Sequence, residues 1–222
     1  MTKIARFYLI LFYGCLLLTA GAFAKEDTRK VTPPKKIEYD DMLLTYNPAW
    51  QDEETYLEAN LDADPEPEII ISFVADYKTE PKKKKEDIKP FQQEKQELLP
   101  VYNYVFYEIY DQGPDKTYRL IKTINGLDRP GHVQLLTLEK GRPPAILLVS
   151  PGGTHYKDIQ VLQWQEGGYR SIFSQGTRDD VHVIDDPSGI CLVLGAQSYR
   201  WNNAKQTFER DAQNTPPADP IK

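Results

Sequence analysis

Short apolar runs rich in Val, Ile, Leu and Tyr recur along this chain in groups of four, and the group itself recurs three times. The first group is Thr55 to Asn60, Glu68 to Phe73, Tyr102 to Tyr110 and Tyr118 to Ile124. The second is His132 to Leu138, Ala145 to Ser150, Asp158 to Gln165 and Tyr169 to Ser174. The third is Asp180 to Asp185, Gly189 to Gly195, Gln197 to Trp201 and Gln206 to Arg210. Gly, Pro and Asp clusters separate the runs, and no long stretch keeps a helical period. Short β-branched and aromatic runs between turn-forming residues read as strands. The expected fold class is therefore all-β: three four-stranded, blade-like repeats, propeller-like or partial.

The second and third groups begin 48 residues apart, at His132 and Asp180. Propeller blades repeat every ~40 to 50 residues. The first and second begin 77 residues apart, at Thr55 and His132. The excess falls in a charged insertion over 76–100, between the second and third strands of the first repeat, where Lys82-Lys83-Lys84-Lys85 is flanked by Glu80, Glu86 and Asp87. Insertions in repeat proteins go to loops, and mixed signs mark a solvated one. Within it, Phe91 to Leu99 is predicted as a short helix ending before Pro100. Three units are fewer than the about four to eight that close a propeller. The units are expected to stay open, to pack as a curved stack or to pair with another chain, since exposed end strands invite association.

The ends of the chain read differently. Lys3 and Arg6 precede an apolar run from Phe7 to about Ala20, and the small-x-small sequence Ala22-Phe23-Ala24 is followed by polar residues. That is the layout of a signal peptide spanning 1–24 and cut after Ala24. An uncleaved anchor is the alternative. No other run is long enough to span a membrane, so cleavage leaves an exported protein, periplasmic or extracellular, without a span. Residues 25–40 and 212–222 are polar and proline-containing, and read as a flexible leader and a disordered tail. The domain expected between them is 41–211.

Composition removes several function classes. A content of 40% apolar and 11% aromatic residues excludes a disordered chain. The net charge of -6 becomes -8 once 1–24 depart with two basic and no acidic residues, which argues against nucleic acid as a partner. Cleavage also removes Cys15, so Cys191 has no internal disulfide partner; in Gly189-Ile190-Cys191-Leu192 it reads as a buried strand residue.

One loop carries chemistry. Asn60-Leu61-Asp62-Ala63-Asp64-Pro65-Glu66-Pro67-Glu68 leads into Ile69-Ile70-Ile71. This resembles the acidic loop and apolar strand of FG-GAP/VCBS-type repeats, which build integrin-like β-propellers and related exported proteins. The resemblance spans roughly residues 50–210 and is most specific in the first repeat. Leu162-Gln163-Trp164-Gln165 and Tyr199-Arg200-Trp201-Asn202 are similar to the aromatic strand of such repeats. It implies a Ca²⁺ loop with Asn60, Asp62, Asp64 and Glu68 at positions one, three, five and nine. Ca²⁺ takes about six to eight oxygens, and alternate residues of a tight loop aim side chains inward. At position six the family has Gly, whereas this chain has Pro65. Weak affinity is expected, and a solvated acidic turn without a metal is the alternative.

Other residues point less sharply. His132 and His182 open equivalent strands, where edge packing is the plain reading. His155 lies in Pro151-Gly152-Gly153-Thr154-His155, where the glycines provide either close ligand approach or positive φ. No serine-hydrolase elbow, zinc-protease motif, dithiol motif, Walker loop or dinucleotide fingerprint occurs. The resulting expectation is a non-enzymatic module that binds a protein or carbohydrate partner or has a structural role. The alternative is an exported hydrolase using loop carboxylates, with Asp158 and Asp185 or Asp186 as candidates.

Overall fold

A computed structural model describes residues 29–39, 42–53, 55–81 and 103–211. The signal segment, the Lys82–Lys85 run, the helix expected over Phe91–Leu99 and the tail from 212 lie outside the described residues. The chain divides into Met1–Lys30 and Val31–Lys222, and all the strands belong to the second unit.

The fold is all-β, with no α-helix among the described residues. The first repeat contains β3 (Tyr56–Ala59), β4 (Glu68–Pro81), β5 (Asn103–Gln112) and β6 (Tyr118–Asn125). The second is β7 (His132–Leu136), β8 (Ala145–Pro151), β9 (Lys157–Gln165) and β10 (Gly168–Thr177). The third is β11 (Val181–Asp186), β12 (Gly189–Leu194), β13 (Gln197–Asn202) and β14 (Thr207–Arg210). Each is an antiparallel meander, as the recurring groups of runs predict.

The first sheet departs from a plain blade. Before β3 come β1 (Lys36–Tyr39) and β2 (Met42–Tyr46), and β2 pairs with the far half of β4, making this sheet six-stranded. The flexible leader expected over 25–40 therefore ends earlier. Ile37 and Leu44 form a cross-strand pair, and both are buried with Val31 over Ile69, Ile71, Phe73 and Phe106. Burial of an aliphatic side chain contributes ~1.5 to 3 kcal/mol, which outweighs the weak β-propensity of the polar neighbours.

Three apolar clusters set the layers. Ile70, Val74, Val105, Tyr107 and Ile109 of the first sheet pack on Ile146, Leu148, Leu162 and Tyr169 of the second. The opposite face of the second sheet, with Ala145, Leu147, Ile159 and Val161, packs on Ile190, Leu192, Trp201 and Phe208 of the third. Alternation along a strand explains the two-sided burial: Ile69, Ile71, Phe73 and Ala75 of β4 face the hairpin, and Ile70 and Val74 face the second sheet. Because both faces are covered, Ile69-Ile70-Ile71 reads as an unbroken apolar run. In β5, Tyr104 and Phe106 share one face while Tyr107 and Ile109 share the other, as their spacing predicts.

Local devices fix these contacts. A bulge between Ser171 and Phe173 directs both Ile172 and Phe173 at the third sheet, where Phe173 meets Tyr199 at 5.0 Å and Phe208 at 5.4 Å between ring centroids. Between the first two sheets, the buried Tyr107 hydroxyl accepts hydrogen bonds from Ser150 Oγ at 3.0 Å and Gly131 N at 3.1 Å. The far face of the third sheet carries Cys191, Val193 and the exposed Ile184 as well as polar residues. There Arg200 donates to Asp186 at 3.0 Å, to the Gly189 carbonyl at 3.1 Å and to Asp211 at 2.9 Å.

Candidate metal centre

The loop 60–67 joins β3 to β4, and its own side chains shape it. The Asn60 amide donates to the Asp64 carbonyl. Asp62 Oδ1 accepts the Asp64 N–H at 2.7 Å, and Asp64 Oδ1 accepts the Glu66 N–H at 3.0 Å. Such side-chain-to-backbone bonds imitate turns. No residue from 60 to 68 has positive φ, so the loop turns without the glycine that Pro65 replaces.

Glu68, the first residue of β4, is wholly buried, and its Oε2 accepts the Leu61 N–H. Its other oxygen, Oε1, is buried with no hydrogen-bond partner. Asp111, near the end of β5, likewise has a buried Oδ1 with no partner. Ligand oxygens of Asp62, Asp64, Glu68 and Asp111 all lie within 4.8 Å of one another. Asp62, Asp64 and Glu68 of the expected set lie together with Asp111, and the Asn60 amide nitrogen closes the loop.

Asp111 is missed by reading the loop alone. In the β4–β5 ladder Ile69 pairs with Tyr110, so the next step places Asp111 across from Glu68. The signal is therefore in strand register, which needs both strands aligned.

Unpaired carboxylates this close repel. At ~4.8 Å and an effective dielectric of about 20, each ionised pair costs roughly 3 kcal/mol. Burial pushes the Glu68 carboxyl up to about 7, helped by Asp62, Asp111 and Asp64 and opposed by the Leu61 N–H. Burial also raises Asp62, with Asp64 and Glu66 adding to it. Asp111 is raised by burial and by Asp64, Asp62 and Glu66, with Arg119 opposing. Buried oxygens without donors are what a cation satisfies, and an oxygen-only donor set suits a hard one. The cluster can hold a metal ion.

The remaining candidates are dispersed. Asp158 accepts from Gln160 at 2.8 Å on β9, while Asp186 on β11 is held by Arg200, which lowers its pKa. The hydrolase alternative thus has Asp186 already engaged by a cation on another sheet. His132 and His182 are exposed strand residues paired with Val149 and Val193. In the Pro151–His155 loop, positive φ falls on Thr154 and His155 rather than on Gly152 or Gly153, correcting the expected role of the glycines. Cys191 is a buried strand residue, and burial raises its thiol pKa. No helix among the described residues is long and apolar enough to cross a membrane.

Comparison of the chain with protein-family models, curated proteins and solved structures found no match.

Proposed function

We propose that this is an exported, non-enzymatic β-repeat module of FG-GAP/VCBS type, whose first repeat binds Ca²⁺ and whose loops engage a protein or carbohydrate partner or serve a structural role. The observation that carries the reading is the cluster of Asp62, Asp64, Glu68 and Asp111, with two buried oxygens lacking donors, on a packed sheet scaffold. Calcium suits the site better than softer metals because every donor is oxygen. Export is supported by the layout of residues 1–24. Extracellular calcium modules bind with Kd of ~10⁻⁴ to 10⁻³ M, the range in which this site belongs.

Melting the purified protein across a calcium series tests the calcium reading. A ligand that binds only the folded state raises stability by about 1.4 kcal/mol at ten times its Kd. The midpoint should rise by several degrees at millimolar Ca²⁺, and an unmoved midpoint removes the calcium reading. Mass spectrometry of the secreted form tests export: a chain beginning at Lys25 is expected, and one retaining Met1 in the membrane contradicts it.

A further inference from the structure

The acidic cluster has a neighbour in the second sheet that the loop reading does not include. Tyr169, at the start of β10, is 6% exposed, and its hydroxyl is buried without a hydrogen-bond partner. Its ring sits in the apolar cluster that also holds Leu61 and Ile70. Leu61 lies between Asn60 and Asp62, and its N–H is taken by Glu68. The ring is fixed by Trp164, its cross-strand partner, at 5.1 Å between centroids. Burial raises the hydroxyl pKa, and the charges of Glu68, Asp62, Asp111 and Asp64 raise it further, so all four carboxylates act on this one group. The hydroxyl remains a neutral donor. A buried donor without an acceptor is costly, and Glu68 and Asp111 hold buried acceptors without donors.

We propose that Tyr169 is a positioning residue for the cation, donating its hydroxyl hydrogen to an ion-bound water, so that ion binding on the first sheet and docking of the second sheet are one coupled equilibrium. This rests on the calcium reading above. It assigns the ion a second role, as a fastener between two sheets rather than a local clasp of one loop. Outer-shell partners orient metal ligands, and their loss commonly weakens metal binding ten- to a hundredfold, as an approximate range. Coupling also means that an ion bound at the β3–β4 loop slows opening of β9 and β10, which donate no ligand of their own.

The test compares wild type, Tyr169→Phe and Asp111→Asn by calcium calorimetry, melting without calcium, and hydrogen exchange with and without calcium. Tyr169→Phe keeps the ring and removes only the hydroxyl. The expected result is calcium affinity reduced about tenfold, with a calcium-free midpoint unchanged or slightly raised, since an unsatisfied buried donor has gone. Calcium should slow exchange of β9 and β10 amides in wild type and lose that effect in Tyr169→Phe. Tyr169→Phe that binds calcium as tightly as wild type overturns the proposal. So does a variant whose calcium-free midpoint falls while its affinity is kept, because that is a packing role. Wild type that shows no calcium binding overturns the calcium reading itself, and with it this inference. Asp111→Asn separates the two, since loss of binding there with none in Tyr169→Phe keeps the loop site and discards the fastener.

Discussion

At the scale of single residues, Glu68 decides how the protein responds to pH. Its carboxyl is raised from 4.5 to about 7 in the fold. Between those values the folded chain holds a proton that the unfolded chain has released. Stability of the calcium-free protein therefore falls as pH rises from about 4.5 to about 7, and Glu68 contributes no further loss above that. The penalty is at most roughly 3 kcal/mol. Raised pKa values at Asp62 and Asp111 act in the same direction. On the proposed reading calcium would bind the ionised cluster, so a calcium-induced rise in melting midpoint should grow from pH 5 to 8. Glu68→Gln should flatten the calcium-free profile and abolish the calcium response, as a matrix of melts over pH and calcium would reveal. A calcium-free midpoint that climbs through this window would contradict the assignment. Another residue-scale prediction concerns Gly131. An added methyl there would overlap the Val149 carbonyl oxygen and crowd the Tyr107 hydroxyl. Gly131→Ala should lower stability by about 1 to 3 kcal/mol in urea unfolding, and an unchanged midpoint would show that the first and second sheets are not held together there.

At the scale of elements, the β1–β2 hairpin matters most. It covers Ile69, Ile71, Phe73 and Phe106, which would otherwise form an exposed apolar face. Leu44 is fully buried, and Leu44→Ala should cost about 2 to 5 kcal/mol by urea unfolding. Truncation before Met42 should cause aggregation visible by light scattering, whereas a dispensable leader would leave the protein soluble. The strands of the three repeats were legible because each pairs an apolar run with a turn signal, down to the short β14 around Phe208. The hairpin was not legible. Lys36-Ile37-Glu38-Tyr39 has a single aliphatic residue and follows Pro33-Pro34, so local composition resembles a linker. Its strand character comes from partners on β4, distant in sequence. The site divided in the same way. Asp62, Asp64 and Glu68 share one loop and their spacing announces them, while Asp111 arrives through strand register. The left-handed Thr154 and His155 run against propensity, since glycines stand immediately beside them.

At the scale of the unit formed by residues 31–222, three sheets are joined by two interfaces that share the second sheet. Leu148 faces the first sheet and Leu147 the third, so one strand serves both interfaces. Such sharing predicts one cooperative unfolding transition, with calorimetric and van't Hoff enthalpies equal. Separate transitions would mean that the repeats fold independently. The outer faces are finished differently, with an apolar hairpin on the first sheet and the Arg200 ion pairs on the third. On the proposed reading, a calcium ion would add a third tie between the first and second sheets.

The most direct test of the calcium centre is an anomalous difference map from a crystal grown in millimolar calcium. The account predicts a single peak enclosed by oxygens of Asp62, Asp64, Glu68 and Asp111. An ordered loop around those four residues with no peak would contradict it.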